Sequence, residues 1–87
     1  MLKIIDFYAT WCKPCTHLSK QLSELKEEYS NLEIVKIDIE KHPDEFKIHN
    51  VKSVPFIVFE KDNKIVHSIV GLQIKRVMKE IIDQYYE

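Results

Sequence analysis

Both cysteines of this chain, its single tryptophan and one of its three prolines fall in one stretch of five residues, Trp11-Cys12-Lys13-Pro14-Cys15. The apolar run Ile4-Ile5-Asp6-Phe7-Tyr8 leads into it and a long amphipathic pattern follows. The stretch therefore reads as a short loop between a strand and a helix, with a Cys-x-x-Cys at the helix mouth. Cysteines three positions apart lie one helical turn apart on the same side, where their Cα atoms can meet the separation a disulfide needs. The first helical turn offers N–H groups without partners and the positive end of the macrodipole, so a thiolate at Cys12 is stabilised and its pKa falls. Pro14 suits an early helical position because no hydrogen bond is lost there. Lys13 adds positive charge beside the sulfur. Cys12 is thus expected to attack and Cys15 to resolve.

Two other readings of a Cys-x-x-Cys stand beside this one: half of a zinc site, or an inert packed pair. Zinc requires two more ligands, and the chain has no second cysteine pair; its histidines, His17, His42, His49 and His67, lack paired spacing. No metal site is expected.

At 87 residues the chain is expected to form one domain, residues 1–87, near the lower size limit for independent folding. A net charge of −1 gives no electrostatic case for nucleic acid or an anionic membrane. One glycine leaves no room for Gly-rich phosphate loops. No signal-like or membrane-spanning apolar segment is present, so a reducing cytoplasmic setting is expected, where a lone Cys-x-x-Cys is more often catalytic than structural.

The periodicities divide the rest. Residues 2–8 read as a central strand buried on both faces, with Asp6 the exception. Its carboxylate either turns to solvent or is a buried proton acceptor for Cys15 with a raised pKa. Residues 12–29 read as a helix whose apolar face is Leu18, Leu22, Leu25 and Tyr29, with its charges solvated. Residues 33–39 read as a strand joined to the first by a right-handed parallel crossover. Lys36 then either reaches Asp6 or is a surface lysine. A short helix follows from about Pro43 to His49, then a strand over 56–60 with Pro55 at its start, a tight polar turn at 61–64 and a returning strand over 65–70. Gly71 marks a backbone turn or a close approach. The last helix, 73–86, carries a core-facing stripe of Ile74, Val77, Met78, Ile81, Ile82 and Tyr85. The order is β-α-β-α-β-β-α, an α/β chain with a mixed four-stranded sheet flanked by helices.

This order, with Asp6-Phe7-Tyr8-Ala9-Thr10-Trp11-Cys12-Lys13-Pro14-Cys15 after the first strand, resembles the thioredoxin family over nearly the whole chain. The resemblance implies a thioredoxin fold in its minimal core, without the usual N-terminal strand and helix, and compact like a glutaredoxin. It implies that Val54-Pro55 is the cis-proline element, that Asp6 and Lys36 are the buried aspartate and its lysine partner, and that Trp11, Pro14, Pro55 and Gly71 line an apolar platform where the Val54 backbone pairs with substrate. The implied activity is reduction of protein disulfides with no bound cofactor, by a monomer that takes electrons from a thioredoxin reductase and NADPH. A glutathione-coupled, glutaredoxin-like activity and a non-catalytic accessory subunit are the alternatives. Lys13 replaces the family's usual glycine, which should make the couple more oxidising. Lys20 stands where a helix-kinking proline is common.

Overall fold

The apolar run at the start of the chain becomes the strand to which the other elements attach. The computed structural model describes residues 1–86. In chain order the elements are β1 (Leu2–Tyr8), α1 (Lys13–Glu28), β2 (Glu33–Asp38), α2 (Pro43–Ile48), β3 (Phe56–Lys61), β4 (Lys64–Val70) and α3 (Lys75–Tyr85). They form one four-stranded sheet in the order β2-β1-β3-β4, parallel between β1 and β2 and antiparallel elsewhere. β1 is hydrogen-bonded on both edges and covered on both faces, which is why its sequence is nearly all apolar.

Alternation along β1 divides the core. Leu2 and Ile4 face Leu18, Leu22 and Leu25 of α1 and Met78 and Ile82 of α3, with Ile57, Phe59 and Ile69 completing that layer. Ile5 and Phe7 face the other way, onto Val51 and Val58, with half-buried Phe46 of α2 against them. Each fully buried leucine of α1 contributes roughly 1.5–3 kcal/mol, so α1 is anchored along its whole length. No residue of α2 is fully buried, and this helix is the most weakly held of the three.

Two helices begin later than the periodicities predict. Cys12 has an extended backbone (φ −91°, ψ 107°) and caps α1 instead of starting it. Ile74 is likewise extended (φ −73°, ψ 152°), so α3 begins at Lys75. Taken out of the helical repeat, Ile74 leaves the expected core stripe and is 55% exposed. The hairpin forms as expected: Asp62 and Asn63 both take positive φ (53° and 67°), the conformation of a two-residue turn that matches strand twist. An irregularity opposite Phe59 and Glu60 shifts the register of β4, which the sequence did not foretell. Among the described residues β2 is an edge strand, protected by the exposed charges of Glu33 and Lys36.

Candidate active site

The loop after β1 turns sharply, with the Cys12 N–H donating to the Ala9 carbonyl at 3.1 Å. The Cys12 carbonyl then accepts from Thr16 N–H at 3.3 Å, the first bond of α1. This places the Cys12 side chain over the open end of the helix, where its Sγ accepts a hydrogen bond from the Cys15 N–H at 3.2 Å. A sulfur thus occupies the capping position usually taken by a hydroxyl or carboxylate oxygen. Cys12 and Cys15 are joined in a disulfide with Cα atoms 5.2 Å apart, inside the usual range. Both are buried, against Ala9 and against half-buried Tyr8, Ile39 and Val54. Lys13 and Pro14 are exposed on the first turn, and Trp11 is 66% exposed beside Cys12.

Two distant segments complete the rim. The Val54–Pro55 bond is cis, and the Pro55 carbonyl accepts from the Gly71 N–H at 2.9 Å. Gly71 has φ +90°, a conformation glycine adopts freely and other residues rarely do. The expected apolar platform is altered in one respect: Pro55 is buried, so Val54 rather than the proline ring reaches the surface there. Val70 and Leu72, on either side of Gly71, are 69% and 42% exposed and add apolar surface that the sequence reading did not single out. Nothing lies within 4 Å of where a Cβ on Gly71 would stand. Gly71→Ala is therefore expected to fold without a clash and to lose about 1–2 kcal/mol from the positive φ alone, measurable by urea unfolding.

Asp6 is fully buried, on the α1-facing side of β1 between Ile4, which packs on Leu18 and Leu22, and Tyr8, which packs on the cysteines. Neither of its carboxyl oxygens has a hydrogen-bond partner in the protein. Burial raises its pKa from 3.8 to about 6, and the positive charge of Lys36 opposes part of that rise. Lys36 stands directly across from Asp6 in the parallel β1–β2 register. Its ammonium does not bond the carboxylate, however. It donates to Ser19 Oγ and sits 5.1 Å from the centre of the Tyr8 ring. The solvated alternative for Asp6 is excluded by its burial, and Lys36 is an exposed lysine that reaches Asp6 through its field alone. A hollow of about 250 Å³ beside Cys15 is lined in part by Thr10, Ser19 and Lys36. Among the described residues no three His, Cys, Asp or Glu side chains converge as a metal site, and no helix is long and apolar enough to cross a membrane.

Comparison with known proteins agrees with this arrangement. The family model described as Thioredoxin matches residues 1–84. The thioredoxin of Listeria monocytogenes is 36% identical over 85 residues, spanning 97% of this chain and 82% of that protein. That of Staphylococcus epidermidis is 34% identical with the same coverage. Among solved structures, the N21Q mutant thioredoxin from Halobacterium salinarum superposes with a TM-score of 0.93 at 32% identity, covering 99% of this chain and 75% of that one. Mitochondrial thioredoxin 3 of Saccharomyces cerevisiae, in its oxidised form, gives 0.88 at 32% identity, covering 95% of this chain and 77% of its own.

Proposed function

The chain belongs to the thioredoxin family and is a thiol–disulfide oxidoreductase, and from that premise we propose that it reduces disulfides in protein substrates through a two-step exchange. In the first step the Cys12 thiolate attacks one sulfur of the substrate disulfide. The substrate S–S bond breaks, its other sulfur leaves as a thiolate and takes up a proton, and a mixed disulfide joins Cys12 to the substrate. In the second step Cys15 gives its proton to Asp6 and attacks Cys12 Sγ. The mixed disulfide breaks, the second substrate sulfur leaves as a thiolate and takes up a proton from Asp6 or water, and the Cys12–Cys15 disulfide remains. Two electrons and two protons pass to the substrate.

The observation that carries this reading is the Cys15 N–H directed at Cys12 Sγ at the open end of α1. In the reduced protein that bond and the helix dipole favour a thiolate at Cys12 over one at Cys15. Asp6, with a pKa of about 6, is poised to accept a proton near neutral pH. Trp11, Val54, Val70 and Leu72 offer the apolar rim, with the Val54 backbone available to an extended substrate segment. Regeneration needs a dithiol or hydride donor; a thioredoxin-reductase-like enzyme fed by NADPH is the proposed source, and glutathione the alternative.

The test is single-turnover oxidation of the reduced chain by a protein disulfide, followed by Trp11 fluorescence. Stoichiometric appearance of two substrate thiols supports the reading, and no reaction refutes it. Lys13 bears on the same chemistry. Its charge stabilises the reduced thiolate form, so Lys13→Gly is expected to make the couple more reducing. An exposed charge is worth up to about 1 kcal/mol, so the shift should be about 10–20 mV. An unchanged potential would mean that solvent screens the charge fully.

A further inference from the structure

The outward face of α1 carries its charges in an order that opposes the helix dipole. Lys13, His17 and Lys20 recur at i, i+4 and i+7 on the first half, opposite the buried Cys15, Leu18 and Leu22. Glu24, Glu27 and Glu28 occupy the second half of that face, Lys26 lies in the last turn off it and bonds the Ser30 and Leu32 carbonyls, and the first turn holds no acidic residue. Helix stability favours the reverse arrangement. The acidic half is engaged: Glu24 lies 3.4 Å from Lys75, and Glu28 lies 3.0 Å from Lys75 and 2.7 Å from Lys79. Among the described residues Lys13, His17 and Lys20 make no ion pair. With Thr16 they line a shallow concavity of about 440 Å³.

A charge pattern that costs helix stability and finds no partner within the fold is expected at a functional surface. The geometry points to this strip as a docking site for an acidic segment flanking the disulfide of the substrate protein. The assignment rests on the disulfide-exchange reading above and adds substrate selection to it. The occupant is a peptide segment, because two lysines and an imidazole along two turns of helix suit a few carboxylates of an extended chain, and the strip starts at Lys13, the residue that follows Cys12 in the chain. Carboxylates on the strip would raise the encounter rate at Cys12 while leaving the exchange step itself unchanged.

The experiment follows Trp11 fluorescence as the reduced 87-residue chain is oxidised by three probes: a glutamate-flanked disulfide peptide, a lysine-flanked one of the same length, and neutral 2-hydroxyethyl disulfide. At low ionic strength the acidic peptide is expected to react about threefold or more faster than the basic one, with the difference falling away at high salt. His17→Glu/Lys20→Glu should erase or invert the preference, read as the two peptide rates each divided by the rate with 2-hydroxyethyl disulfide, which reports any change in Cys12 itself. Equal rates for the two peptides, or a preference that persists in the double variant, would overturn the docking site while the exchange reading stands. Silence with all three probes would overturn both. Retention of single-stranded RNA by the strip, with no preference among the disulfides, would assign it to nucleic acid and overturn the proposal.

Discussion

Cys15→Ser is expected to halt the protein halfway through its cycle, as a covalent adduct with its substrate. Cys12 keeps its place at the N-terminus of α1, so attack and formation of the mixed disulfide proceed. Resolution then depends on an external thiol. An internal nucleophile held one helical turn from its target has a very large effective concentration, so millimolar external thiol should resolve the adduct at least about 1000-fold more slowly. The adduct is detected as a stable species of summed mass by non-reducing electrophoresis or mass spectrometry. Cys12→Ser is expected to give neither adduct nor turnover, because Cys15 lies inside the first turn of α1 and lacks the N-cap position whose N–H donor and helix dipole stabilise a thiolate at Cys12. The two variants together distinguish the roles: an adduct from Cys12→Ser and none from Cys15→Ser would reverse the assignment.

Asp6→Asn should have opposite effects on stability and on activity. The Asp6 pKa is raised by burial from 3.8 to about 6, so the native state binds a proton that the unfolded chain has released between those values. Stability therefore falls as pH rises through that window: the penalty is absent below about 4 and complete above about 6. A shift of this size corresponds to roughly 3 kcal/mol lost at pH 7, to order of magnitude. Asparagine is nearly isosteric and stays neutral, so Asp6→Asn should be more stable than the parent by roughly 2–3 kcal/mol at pH 7, and the two should converge near pH 4. Urea unfolding across pH 4–8 reads this directly. The same substitution removes the proton acceptor, and resolution by Cys15 should slow by about tenfold or more while attack by Cys12 keeps its rate. A purely structural carboxylate would alter stability alike but leave the two kinetic steps in their original ratio.

Much of this is legible in the sequence because local and global preferences agree. The strand–loop–helix passage around Trp11–Cys15, the leucine stripe of α1 and the Asp62-Asn63 turn each have one physical reading, and each forms. The reading fails where a side chain depends on what the fold brings beside it. Nothing near Lys36 in sequence shows that its ammonium goes to Ser19 and the face of Tyr8, because that choice is made between a strand and a helix seventeen residues apart. Ile74 fits the apolar repeat of α3 yet lies outside it, because the chain is still extended there. The exposed Val70 and Leu72 were hidden by their apolar character, which in isolation suggests core. Glu24 and Glu28 read as a solvated face, and they in fact clasp α1 to Lys75 and Lys79 of α3.

The Cys12–Cys15 disulfide exists to be broken and remade. The measurement that tests it most directly is the reduction potential of this pair, obtained by equilibration against glutathione or dithiothreitol buffers with Trp11 fluorescence as readout. A working reductant with a charge-stabilised thiolate should lie between about −270 and −200 mV. A value below about −300 mV is that of a structural disulfide and would contradict the account.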